Sequence, residues 1–183
     1  MAVSAILSPM QALADATRVQ QLIAEVGAWV DSQRQAQPQN EFALVGIRSR
    51  GDVIARRVAE RLNIDRVGVL DITLYRDDLS EISSQPVVRT TEIDFAIDGL
   101  DVVLIDDVLM SGRSIRAALS SLMDMGRPRR VWLAVLVDRG ADAKELPIAA
   151  DHVGLVHDGG EHVRVLLTPT DDRDAIELQE DAS

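Results

Sequence analysis

The sequence predicts an α/β fold, a mostly parallel sheet flanked by helices, and three observations carry that prediction. Short apolar runs without a polar residue, Phe42-Ala-Leu-Val-Gly-Ile47, Val102-Val-Leu-Ile105 and Val131-Trp-Leu-Ala-Val-Leu-Val137, read as strands buried on both faces. Segments with helical apolar spacing alternate with them, as parallel strands joined by crossover helices require. Each run then stops at a polar segment, Arg48-Ser-Arg-Gly51, Asp106-Asp107 or Asp138-Arg-Gly140, which gathers the chemistry at the carboxyl ends of the strands.

Taken in order, residues 9–33 carry Leu13, Val19, Leu22, Ile23, Val26, Trp29 and Val30 at helical spacing and predict one long amphipathic helix. A polar loop with a proline leads to the 42–47 strand. The next helix runs from Asp52, the expected N-cap, to about Leu62. Residues 67–74 read as a strand. From 75 to 99 the pattern dissolves into polar and charged residues around Pro86, an insertion long enough to suggest a lid. The 102–105 strand is followed by a helix from Ser114 to Met125, closed by Gly126 before Pro128, and then by the 131–137 strand. Past Thr168 the chain is an acidic tail in which only Ala175-Ile-Glu-Leu178 suggests a short edge strand.

The chain has 183 residues, of which 46% are hydrophobic and 27% charged, values that fit one globular domain spanning 1–183. It contains no cysteine, which excludes disulfides and thiolate metal sites and suits a reducing cytoplasm. No signal-peptide pattern and no apolar stretch of about 20 residues is present, so no membrane partner is expected. The net charge is -11, and residues 141–183 hold eleven Asp and Glu against three Lys and Arg. Such a chain does not bind nucleic acid through overall charge, because phosphate contacts need clustered cations. His152, His157 and His162 recur every five residues, a spacing that fits neither a helix face nor alternate strand positions; they read as surface or turn residues, not metal ligands. Arg56-Arg57 and Arg129-Arg130 read as solvated pairs on a helix and before a strand.

The most informative segment is Val102-Val-Leu-Ile-Asp-Asp-Val-Leu-Met-Ser-Gly-Arg-Ser114. Ser111, Gly112 and Ser114 place hydroxyls and backbone N–H groups at a helix N-terminus, an anion site. Asp106 and Asp107 supply acceptors for sugar hydroxyls or for a Mg²⁺ bridging to them. Phosphate, sugar diol and metal together describe a ribose-5-phosphate site. Neither a Walker loop nor a dinucleotide-type glycine motif is present.

This segment resembles the phosphoribosyl pyrophosphate (PRPP) signature of type I phosphoribosyltransferases. The blocks Leu70-Asp-Ile-Thr-Leu-Tyr-Arg-Asp-Asp-Leu-Ser80, Val108-Leu-Met-Ser-Gly-Arg-Ser-Ile-Arg116, Gly126-Arg-Pro and Leu133-Ala-Val-Leu-Val-Asp-Arg-Gly140 are similar to the PyrR family, uracil phosphoribosyltransferases that also attenuate pyrimidine operons. The resemblance covers about 9–156 and implies a type I phosphoribosyltransferase fold with a flexible hood at about 75–99 and an acidic tail at about 169–183. It implies uracil and PRPP as substrates, UMP as product, and a homodimer or larger homo-oligomer.

The same resemblance assigns Asp106 and Asp107 to the ribose hydroxyls and to Mg²⁺, directly or through those hydroxyls. It assigns Val108, Leu109, Met110, Ser111, Gly112, Arg113 and Ser114 to the PRPP loop, and Ser49 and Arg50 to the pyrophosphate loop. Residues 75–80 open the hood, while Val137, Asp138 and Arg139 border the uracil pocket. Arg50, Arg76, Asp106 and Asp107 form the catalytic set, the arginines and Mg²⁺ stabilising charge on departing pyrophosphate. Purine-using relatives typically carry an acidic residue where Met110 stands, and Met110 suits a pyrimidine better.

Two departures from the family pattern concern RNA. Ala141-Asp-Ala-Lys144 replaces the family's His-Arg, and Ala149 and Gly154-Leu-Val156 replace basic positions associated with RNA. The expected function is therefore uracil phosphoribosyltransfer; the alternative is a UMP-sensing RNA-binding attenuator, with or without the enzyme activity. RNA binding is expected to be weak or absent.

Overall fold

The computed structural model describes residues 11–72 and 91–179. Its elements are β1 (Gln11–Ala14), α1 (Ala16–Ala36), β2 (Phe42–Ile47), α2 (Gly51–Leu62), β3 (Val67–Leu70), β4 (Asp101–Leu109), α3 (Arg113–Met125), β5 (Arg130–Asp138), β6 (His152–Val156), β7 (His162–Leu166) and β8 (Ala175–Gln179).

A five-stranded, wholly parallel sheet in the order β3-β2-β4-β5-β6 forms the centre. The three apolar runs of the sequence are its three middle strands, and Ala43, Leu44, Val45, Val102, Val103, Leu104, Ala134, Val135 and Leu136 are all fully buried. Both faces are covered. Val19, Leu22, Val26 and Val30 of α1 and Ile54 and Val58 of α2 meet Leu44, Val103 and Ile105 on one side, while Ile115, Ala118 and Leu122 of α3 meet Val45, Val102 and Leu104 on the other. A second, antiparallel sheet, β1-β8-β7, adds Val163, Val165, Ile176 and Leu178 to the first of these cores.

Several boundaries differ from the sequence reading. The helix expected over 9–33 begins only at Ala16, because Gln11–Ala14 pair with β8 and the Asp15 carboxylate caps the helix by accepting from the Arg18 N–H at 2.8 Å. Asp52 is not an N-cap; it lies within the first turn of α2, 8% exposed, with Arg50 at the cap position. The strand expected over 67–74 pairs only through Leu70, and residues 73 and 74 lie outside the described residues. Gly126 does end α3, but in an extended conformation (φ 163°); glycine is needed for room, since a Cβ would fall 2.9 Å from Ile97 Cγ1.

Most of the expected hood, 75–90, lies outside the described residues. Its last part belongs to the fold: Glu92 exchanges backbone hydrogen bonds with Val69 at 2.7 and 2.8 Å, and Ile97 is 1% exposed. β6 and β7 fall where no strand was expected. His152 opens β6 as part of the core margin, stacked 5.5 Å from Trp29, and burial lowers its pKa. Among the described residues no helix is long and apolar enough to cross a membrane.

Candidate active site

Parallel pairing sets the ends of β2, β4 and β5 side by side, and the polar segments that follow them converge there. Asp106 and Asp107, expected to end the strand, lie inside β4, which continues to Leu109, and Asp106 pairs with Val135. Asp106 is 6% exposed and Asp107 only partly so. Asp106 Oδ1 accepts the Asp107 N–H at 3.0 Å, and Asp107 Oδ1 accepts the Val108 N–H at 2.9 Å. Burial raises the pKa of Asp107, while nearby Arg50 pulls it back. The pair thus holds costly negative charge at the end of the sheet.

The turn after β4 is shaped for an anion. Gly112, the cap residue of α3, sits at φ 86°, a left-handed conformation that suits glycine, and offers no side chain, while the Ser111 hydroxyl accepts the Arg113 N–H at 3.3 Å. The first-turn N–H groups of α3 are therefore turned to the same end of the molecule as Asp107. The Ser111 carbonyl accepts from the N–H groups of Glu145 and Leu146, both at 3.1 Å, and the Arg113 Nε donates to Glu145 Oε2 at 2.7 Å. The loop after β5 thereby holds the turn in place, and Met110 at its crest is 48% exposed.

On the other side of β4, Ser49 and Arg50 form the turn between β2 and α2. Arg50 has φ 76°, ψ -43°, an unfavourable conformation for a side-chain-bearing residue, of the kind that costs about 1–3 kcal/mol and clusters at functional sites. The turn is seated by two glycines. A Cβ on Gly46 would lie 2.4 Å from Asp52 Cα, and one on Gly51 would lie 2.4 Å from the Ile105 carbonyl oxygen and 3.2 Å from Asp106 Cα. This turn rests directly on the strand that carries the carboxylates.

The expected uracil-pocket residues are at the end of β5, beside the turn. Val137 is fully buried; the Asp138 carboxylate accepts from the Gly140 N–H at 2.9 Å and is paired with Lys144. The Arg139 side chain does not face an open pocket. Its Nε and Nη2 donate to the carbonyls of His157 (3.2 Å) and Gly159 (2.6 Å), and its backbone N–H donates to Leu109 O at 2.9 Å, so it ties the β6–β7 connection to the site. Arg76 lies outside the described residues.

Sequence reasoning missed Asp171. Both oxygens of this carboxylate, from the connection between β7 and β8, accept from Arg50, from Nε and Nη2 at 2.9 Å each. The contact raises the pKa of Arg50 and lowers that of Asp171. Asp174 similarly accepts from Arg57, at 2.5 and 3.0 Å, which draws its pKa down to about 2. Arg57 is thus not solvated, as expected, but fastens α2 to that connection. These pairings span more than a hundred positions and have no local signature; the stretch reads as a polar turn.

Asp106 and Asp107 fit Mg²⁺: an all-oxygen, carboxylate donor set suits a cation that binds through one or two carboxylates and takes its remaining ligands from substrate oxygens and water. Among the described residues no group of three or more acidic or histidine side chains could hold a metal ion by itself.

The family model of the phosphoribosyl transferase domain matches residues 10–155. The chain is 49% identical over 148 residues to the bifunctional protein PyrR of Pelotomaculum thermopropionicum, covering 77% of this chain and 81% of that one. It is 52% identical over 146 residues to the bifunctional protein PyrR of Thermus aquaticus, covering 76% and 80%. Its fold matches a hypoxanthine phosphoribosyltransferase from Staphylococcus aureus (TM-score 0.70, 18% identity, 93% of each chain) and one from Trypanosoma cruzi (TM-score 0.68, 15% identity, 93% of this chain and 96% of that one). A type I phosphoribosyltransferase architecture, a domain match over most of the length and about half identity to PyrR proteins together establish that the chain belongs to the PyrR family of phosphoribosyltransferases.

Proposed function

We propose that the protein joins uracil to the ribose of PRPP, in the cytoplasm, forming UMP and pyrophosphate. The observation that carries this is the juxtaposition, around the end of β4, of the Asp106–Asp107 carboxylates, the Gly112 start of α3 and the strained Arg50 turn. In this reading the first-turn N–H groups of α3 hold the 5-phosphate, and Asp106 and Asp107 accept from the ribose hydroxyls. The bond from the anomeric carbon to pyrophosphate breaks through an oxocarbenium-like state, and the ring nitrogen of uracil bonds to that carbon as its N–H proton passes to the departing pyrophosphate or to water. The cationic Arg50 stands where negative charge grows on the leaving group. Bound Mg²⁺ supplies further neutralisation of the pyrophosphate oxygens.

Uracil is favoured over a purine base by Met110, which stands exposed at the turn where a carboxylate would assist a purine. The test is a screen of nucleobases with PRPP, with and without Mg²⁺, read as nucleotide formed. UMP should form from uracil and require Mg²⁺; product with guanine or hypoxanthine and none with uracil would overturn the assignment.

RNA binding we propose to be weak. Lys144 is the one basic residue among 141–149, and its ammonium is paired with Asp138 and donates to the Gly140 carbonyl at 3.1 Å, with the side chain 16% exposed. A cation so engaged has little to offer a phosphate backbone. Filter binding of a pyrimidine-operon leader RNA at near-physiological salt should show no UMP-dependent complex; nanomolar binding with UMP would refute this.

A further inference from the structure

The β7–β8 connection enters the site through one side chain. Asp171 is held rigidly before it meets Arg50: its N–H donates to Leu167 O, and its Oδ2 accepts the Leu167 N–H, both at 2.8 Å. Its side chain is 10% exposed, and the guanidinium against it 24%. A bidentate, half-buried pair of this geometry fixes the plane of the guanidinium as well as its position. It engages Nε and Nη2 and leaves Nη1 for an incoming anion. From the geometry we infer that Asp171 is a positioning residue of the pyrophosphate site: it aims the Arg50 guanidinium from the side opposite the ligand.

The inference rests on the reading of Arg50 as a pyrophosphate ligand, and it adds a residue from the acidic tail that lies outside residues 10–155, the matched domain. A surface ion pair would not carry it, since such pairs contribute little and are readily exchanged. Here the carboxylate is preorganised by the backbone, and the arginine it holds is in a strained turn beside Asp107. Asp174 provides an internal comparison. It lies on the same connection and makes an equally close arginine pair, but with Arg57 in the middle of α2, away from the turn.

The experiment compares D171N, D171E and D174N with the wild-type protein. Inorganic pyrophosphate binding is read by calorimetry, KM for PRPP and kcat by UMP formation, and folding by thermal denaturation. Asn at position 171 sets an amide N–H against a guanidinium N–H and turns Arg50 away. D171N should weaken pyrophosphate about tenfold or more and raise KM for PRPP in parallel. D171E should recover part of the loss, and D174N should lower Tm with pyrophosphate affinity unchanged. Wild-type affinity in D171N would overturn the inference. So would tighter binding, which would make Asp171 a competitor of the ligand, or equal weakening in D171N and D174N, which would make the role structural. A wild-type protein that binds pyrophosphate but makes no UMP would sink the uracil reading alone, and the binding comparison would still decide the role of Asp171.

Discussion

Replacing Asp106 and Asp107 together by Asn should lower kcat/KM for PRPP by about a thousandfold or more, the scale seen when preorganised charge is removed from an active site, while leaving Tm essentially unchanged. Stability is spared for two reasons. The oxygens that accept the Asp107 and Val108 N–H groups remain available in Asn. The charge removed is also an unfavourable one, since burial already raises the pKa of Asp107. In the proposed reading, this buried charge has its use with the ligand. Steady-state kinetics with uracil and PRPP, together with a melting curve, decide it. Unchanged kinetics would reduce both carboxylates to caps on their own strand.

Gly51→Ala should have the opposite profile, a large loss of stability. The added methyl would sit 2.4 Å from the Ile105 carbonyl oxygen, backbone against backbone, with no flexible side chain to yield. Overpacking of this kind costs roughly 3 kcal/mol, which for a chain of this size corresponds to a fall in Tm of about 6–12 °C. Whatever relief occurs must come from the β2–α2 turn retreating from β4, which separates Arg50 from the carboxylates. Calorimetry of the variant checks the prediction; a Tm equal to that of the wild type would show that the turn is not seated on the sheet as tightly as the distances imply.

What could be read from the sequence follows from how each feature is encoded. β2, β4 and β5 are buried on both faces and need unbroken apolar runs, so they announce themselves. β7 has one face in the core and alternates, with Val163 and Val165 buried and His162 and Arg164 exposed, a period-two signal that was present but short. β6 is an edge strand with a central glycine and every residue at least partly exposed, and it carries hardly any signal. β1 borrowed the look of a helix, since four residues are too few to distinguish the two periods. In the site, the carboxylates and the α3 turn were legible because their chemistry is local to one segment. The engagement of Arg139 with two carbonyls of the β6–β7 connection was not, because backbone acceptors have no residue identity. Nor was the Arg50–Asp171 pair, which depends on a tertiary return of the tail.

The pairing of β1 with β8, Gln11 opposite Leu178, has a consequence for biosynthesis. β1 is made long before its only described neighbour, β8. At roughly 5–20 residues per second it must wait of the order of ten seconds on the ribosome before that neighbour exists. The five-stranded sheet needs nothing past β6 and can assemble on the nascent chain, so a polypeptide made only as far as Val156 already holds its carboxylates and its α3 turn. It has no Asp171 to pair with Arg50, however, and acquires one only once the connection between β7 and β8 has been made. The partner of Arg50 is thereby tied to synthesis of the β7–β8 connection.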